Sequence, residues 1–262
     1  MAKICTFFSG SSGNCTLVSA NGEAILIDAG VSTKQILTAL EQNNIAPEMI
    51  KGIFITHTHS DHIKGLRVLL NKLYIPLYAS KETIGTLILQ DTFRNDSEYF
   101  DIEQTKDFPF DISAKFFRTN HDCEGSGGYV FELAGGQKIA ICTDLGIVTD
   151  DVRNSILGCG TIVIESNHDV GMLQNGCYPF LTKQRILSDF GHLSNISCAS
   201  ELPALVKGGA TRIILAHLSR DNNTPELARV TAESVLIENG MKANDDYLLS
   251  VAPKCGGKMM YI

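Results

Sequence analysis

The stretch ITHTHSDHIKG, Ile55 to Gly65, holds three of the chain's seven histidines, His57, His59 and His62, with Asp61 immediately before the last. The run GIFI, from Gly52, leads into it and is apolar and β-branched, the pattern of a buried strand. Leu66, Val68 and Leu69 beyond Gly65 fit the opening of an amphipathic helix. The imidazoles and the carboxylate therefore stand where a strand ends and a helix begins, the place where open α/β sheets bind ligands. Two positions apart on an extended segment, His57 and His59 point the same way, while Asp61 and His62 follow the turn and face a second point. A lone histidine at a strand end is ordinarily a core or capping residue. Four metal-competent groups in six positions are different, because burying them unpaired costs several kcal/mol in total. A divalent cation removes that cost, since neutral imidazole and carboxylate are its natural ligands.

With 262 residues, 44% of them hydrophobic and none tryptophan, the chain has material for a sizeable core. No apolar run approaches membrane-spanning length, and the N-terminal MAKICTFFSGSSGN lacks the long apolar region of a secretion signal. The eight cysteines are scattered, with no CxxC pair, and read as small buried hydrophobes of a reducing cytoplasm. A net charge of −7 argues against broad electrostatic capture of nucleic acid but leaves room for a local cationic site.

Taken in order, Ile4–Phe8 reads as a strand and SGSSGN (Ser9–Asn14) as a turn able to cradle phosphate through its N–H groups. Cys15–Ser19 and Glu23–Asp28 form a hairpin about Asn21-Gly22. Asp28, at the end of AILIDAG, either orients a ligand histidine or caps the next segment. Helices are expected over Ser32–Asn43, Ser80–Gln90, Pro179–Asp189, Asn195–Val206 and Thr224–Asn239. Strands are expected over Ile75–Ala79, Ile112–Arg118, Thr161–Glu165, Arg212–Ala216, Tyr247–Val251 and Gly257–Ile262, with a hairpin over Tyr129–Leu133 and Lys138–Thr143. Residues 91–110 are polar, acidic and aperiodic, and read as a surface excursion. With no linker and no repeat, the expectation is an α+β fold in one domain spanning 1–262, two mixed sheets face to face with helices outside.

Metal-competent residues recur after strand-like runs: the central motif, His121 in TNHDCEG, Asp144 in CTDLG and His217 in HLSRDNN. The candidates are His57, His59, Asp61, His62, His121, Asp144 and His217. Seven is too many for one tetrahedral zinc and suits two divalent ions sharing a carboxylate. Such a pair acidifies a bridging water from a pKa near ~16 toward ~7, giving hydroxide at neutral pH for attack on carbon or phosphorus.

HTHSDH, a lone later histidine, an aspartate after a strand and a late histidine together resemble the metallo-β-lactamase superfamily, a four-layer αβ/βα sandwich with a two-metal site on one edge. The resemblance implies that His57, His59 and His121 hold one ion, that Asp61, His62 and His217 hold the other, and that Asp144 bridges. FSGSSGN, ESNHDVGML, SDFGHLSN and LAHLSRDNN resemble the YycJ (WalJ) subfamily of cytosolic bacterial metal-dependent nucleases, over nearly the whole chain. By likeness to the related tRNA 3′-processing enzymes, His192 would donate a proton to the leaving oxygen and Glu165 would orient it. Asn14, His168, Ser194 and Asn223 are candidate substrate contacts. The 73 positions from Asp144 to His217 (217 − 144) leave no room for the large cap domain of the RNase J and cleavage-factor nucleases. The flexible arm of the tRNA processors is also missing.

The function expected is exonucleolytic hydrolysis of DNA ends, with RNA as the second choice of substrate, on two divalent ions, zinc ahead of manganese or iron, with nucleic acid as the partner. The alternative is hydrolysis of a small ester, thioester, lactone or cyclic nucleotide on the same core. Redox chemistry is the weakest reading, because His59 stands where redox relatives carry a carboxylate.

Overall fold

A computed structural model describes residues 1–94 and 96–262. The first half builds one sheet from β1 (Lys3–Phe8), β2 (Cys15–Ala20), β3 (Glu23–Ile27), β4 (Ile50–Phe54), β5 (Leu77–Ala79) and β6 (Tyr99–Asp101). Its helices are α1 (Thr33–Gln42), α2 (Ser60–Ile63), α3 (Leu66–Leu73) and α4 (Lys81–Leu89). The second half supplies β7 (Ile112–Arg118), β8 (Gly127–Leu133), β9 (Lys138–Cys142), β10 (Thr161–Glu165), β11 (Arg212–Ala216) and β12 (Leu248–Val251). Its helices are α5 (Asp150–Ile156), α6 (Val170–Asn175), α7 (Phe180–Ile186), α8 (Asn195–Lys207) and α9 (Pro225–Glu238). The last strand, β13 (Met260–Tyr261), returns to the first sheet beside β1.

Both sheets are mixed. The first has the order β13-β1-β2-β3-β4-β5-β6, antiparallel up to β3 and parallel from β3 to β6. The second has the order β12-β11-β10-β9-β8-β7, parallel from β12 to β9 and antiparallel beyond. Strand alternation divides each core strand between two apolar layers. In β3, Ala24 and Leu26 join the layer under α1 and α3, while Ile25 and Ile27 join the layer between the sheets. In β10, Ile162 and Ile164 face α8 and α9, while Val163 meets the opposite sheet. The outcome is the expected α+β sandwich with helices outside.

Local signals set the helix starts. Ser32 caps α1 in a full capping box with Gln35, and Thr224 caps α9 with Pro225 in the first turn. The Asn21-Gly22 turn has positive φ at both positions, as a two-residue hairpin requires. The expected surface excursion over 91–110 needs correction, and residue 95 of it lies outside the described residues. Tyr99–Asp101 pairs with β5 as an edge strand, and Ile102, Phe108 and Phe110 pack into the layer between the sheets. Aromatic contacts to Phe54 and Tyr78 hold that segment down. No described helix is long and apolar enough to cross a membrane.

Candidate metal centre

The strand ends of both sheets converge on one group of side chains. His57, His59 and His121 offer ligand atoms within 4.8 Å of one another, and so do Asp61, His62 and His217. Asp144 lies between the two sets. Its Oδ2 is 3.3 Å from His62 Nε2, and its Oδ1 is 3.9 Å from His121 Nε2 and 3.3 Å from His217 Nδ1. Except for His59 and Asp61, these side chains are buried.

Backbone conformation aims several of them. Asp28, Asp144 and His217 all follow strands and adopt left-handed φ angles of 63°, 61° and 55°. That conformation costs a non-glycine residue roughly 1–2 kcal/mol. At His217 it is held by the backbone N–H donating to Ser9 Oγ at 2.7 Å. The segment Asp28–Gly30 is laced to the central motif: Ala29 N–H donates to His62 O and Gly65 N–H to Ala29 O. Gly30 is required there, since a Cβ would run into the carbonyl of Asp61.

A partner on the outer ring nitrogen orients each buried imidazole of the cluster. A carboxylate can only accept, so His62 Nδ1 donates to Asp28 Oδ2 (2.8 Å) and His217 Nδ1 to Glu165 Oε1 (2.7 Å). His121 Nδ1 donates to Gly191 O, and Thr56 Oγ1 stands 3.0 Å from His57 Nδ1. The other nitrogens of these rings face the cluster. Asp28 therefore orients a candidate ligand histidine and also binds Thr56 N–H, while Ser32 caps the following helix.

The charge balance is uneven. Burial, reinforced by the neighbouring imidazoles, holds His57 well below the ordinary histidine pKa. Burial would lower His62 too, but the carboxylates of Asp144, Asp28 and Asp61 override it and push the pKa up to about 9. His217 is driven upward against burial by Asp144, Asp61 and Glu165. Two buried atoms of the cluster, His57 Nε2 and Asp144 Oδ2, have no hydrogen-bond partner among the described residues. Leaving such atoms unsatisfied costs about 1–3 kcal/mol each. Lone pairs on imidazole nitrogen and carboxylate oxygen are what a divalent cation takes. The donor set thus fits a dinuclear divalent metal site.

Glu165 is fully buried and saturated. Oε1 accepts from His192 Nδ1 at 2.8 Å and from His217, while Oε2 accepts from the N–H groups of Leu145 and Leu193. Burial would raise its pKa, yet the charges and hydrogen bonds of His192 and His217 hold it well below the usual carboxylate range. The His192 ring is partly open to solvent and lies 5.1 Å from that of His121 and 5.2 Å from that of His217.

The candidate substrate contacts separate. Asn14 Nδ2 is 2.9 Å from His62 Nε2 and 3.4 Å from Asp61 Oδ2, within the second ligand set. His168 is buried with neither ring nitrogen partnered among the described residues, and burial lowers its pKa to about 4. Ser194 caps α8 by accepting from Ser197 N–H. Asn223 gives its amide to Ser166 O, Asn167 O and Asn195, which leaves no free donor for a substrate. Sequence reasoning passed over Thr56, which links Asp28, His57 and His62, and Asp122, 3.4 Å from His121 Nε2 and bound by Arg185. Their position inside or beside the histidine motifs was the available signal.

The family profile of the metallo-beta-lactamase superfamily matches residues 9–217. The chain belongs to this superfamily. It is 37% identical to exodeoxyribonuclease YycJ of Bacillus anthracis, covering 97% of each chain. It is 35% identical to exodeoxyribonuclease WalJ of Streptococcus pneumoniae, covering 91% of this chain and 90% of that one. In fold it is similar to Zn(2+)-bound PqqB from Methylobacterium extorquens (TM-score 0.73, 14% identity, both chains covered fully). It is also similar to the short form of human tRNase Z (TM-score 0.66, 18% identity, covering 100% of this chain and 99% of that one). This superfamily member is a metal-dependent hydrolase.

Proposed function

We propose that this protein is a cytoplasmic two-metal phosphodiesterase that removes nucleotides from DNA ends. The observation that carries the reading is the Glu165–His192 pair, held at 2.8 Å beside the ligand cluster with the histidine edge reaching solvent. A hydrolase of activated thioesters or lactones has less need of a proton donor than one expelling a nucleotide alkoxide. The near-full-length likeness to two proteins named exodeoxyribonucleases supports DNA over small esters.

His57, His59 and His121 would hold one ion and Asp61, His62 and His217 the second, with Asp144 serving both; zinc is the first choice for so histidine-rich a set, ahead of manganese or iron. Bound there, the ions acidify water for attack and offset charge on the phosphodiester. Asp28 and Glu165, which accept from the outer nitrogens of His62 and His217, hold those imidazoles turned toward the cluster. His192, whose pKa the Glu165 carboxylate raises against burial, is supplied with a proton for the leaving oxygen. Glu165 stays ionised through the cycle because all its acceptor sites are engaged. Asn14 and His168 are the substrate-side candidates with groups nearest the cluster or unpartnered.

The test is cleavage of end-labelled linear and circular DNA and RNA with zinc or manganese. The expected result is progressive shortening of linear DNA with circles intact. Hydrolysis of small esters alone would replace this reading with the small-molecule one.

A further inference from the structure

A cavity of about 370 Å³ opens beside the metal centre, between the loop Ser9–Ser12 and the segment Leu218–Asp221 that follows His217. The two sites share a wall. Ser9 receives the His217 N–H, and Gly10 N–H donates to Asn14 Oδ1, whose amide reaches His62. Gly10, at φ 122°, packs against Leu218 O so closely that a Cβ would sit 2.9 Å from it. The volume lies at the low end of the ~300–1,000 Å³ typical of small-ligand pockets, enough for one nucleotide unit and not two.

Its chemistry is divided. Leu218, Pro225 and Ala252 offer an apolar side, while Arg220 and Lys254 bring two cations. Asp221 also lines the cavity, but its carboxylate is tied down by Tyr178 OH at 2.9 Å and Arg220 Nε at 3.3 Å. Lys254 makes no close ion pair among the described residues, and its charge reaches Asp221 only at longer range. The backbone N–H groups of Ser11 and Ser12 meet no acceptor among the described residues. An apolar wall together with Lys254 and with Arg220, which also pairs with Asp221, fits a ligand with an apolar ring and an anionic end.

We infer that this cavity binds one mononucleotide unit of the substrate, with the phosphate toward Arg220, Lys254 and the Ser11–Ser12 backbone and the sugar-base part against Leu218 and Ala252. The inference rests on the nuclease reading and gives it a means of counting: one nucleotide is held beside the cluster at a time.

Calorimetric binding of thymidine 5′-monophosphate to the metal-loaded full chain tests the pocket, with the variant below separating it from the ions, which both proteins hold alike. The nucleotide should bind, with thymidine and inorganic phosphate each at least tenfold weaker. Arg220→Ala combined with Lys254→Ala should weaken it at least tenfold; both side chains are exposed, so the fold should tolerate their loss. No binding, unchanged binding in the double variant, or phosphate binding as well as the nucleotide would each overturn the inference. Failure of the nuclease reading would show separately, as absent cleavage of end-labelled DNA by the metal-loaded protein.

Discussion

Asp144 faces both ligand sets, so Asp144→Ala should lower bound metal from about two ions per chain to one or none, measured by elemental analysis of purified protein. Retention of full metal content and activity would refute the shared-carboxylate assignment. His192→Ala should leave metal content intact and slow DNA cleavage by ~10²–10⁴-fold, the usual effect of losing a general acid. A nitrophenyl phosphodiester, whose leaving group needs no proton, should be affected far less; equal losses on both would remove His192 from that role. Much at this scale was legible. Histidines and carboxylates crowd into one motif because only a ligand compensates their burial, and that crowding shows in the chain. Thr56 did not stand out, because a threonine matters there only through three partners that folding brings to it. Ser194 and Asn223 were legible as polar loop residues, but only the folded state shows that a helix end and a neighbouring amide already consume their hydrogen bonds.

Gly30→Ala probes how one loop positions the central motif. A Cβ at that point meets backbone, which cannot rotate away, so the cost should reach the upper end of the ~1–3 kcal/mol typical of overpacking, with metal uptake reduced as well. Urea unfolding and metal analysis check both; a variant with native midpoint and full metal content would show that the loop gives way freely. Elements such as β3, β10 and β11 were readable because burial on both faces leaves unbroken apolar runs. The three-residue β6 was not: it is an edge strand with Tyr99 and Phe100 partly exposed, and its pairing to β5 comes from distant packing. Short helices α5 and α6 carry too few turns to show a period.

For the whole molecule, a net charge of −7 predicts weak long-range attraction for DNA. Contacts confined to a few phosphates should give a log–log salt slope of about −2 to −4 for binding to inactive protein. A slope as steep as that of proteins touching 6–10 phosphates would argue for an extended track instead. The sandwich itself was legible from the alternation of strand and helix patterns. Which loops meet at its edge was legible only through family likeness, because spacing along the chain carries no information about convergence across two sheets.

That the ligand sets draw on both sheets has a consequence for synthesis. His217 leaves the ribosome 96 residues after His121 (217 − 121), a delay of about 5–19 s at ~5–20 residues per second. Through that interval the nascent chain carries a three-histidine half-site able to seize whichever metal is abundant, with His217 of the second set still unmade. Ribosome-bound chains stalled before residue 217 should therefore hold metal loosely and with little preference, while released full-length chains hold it tightly. Equally tight retention by the stalled chains would show that the first sheet chooses its ion alone.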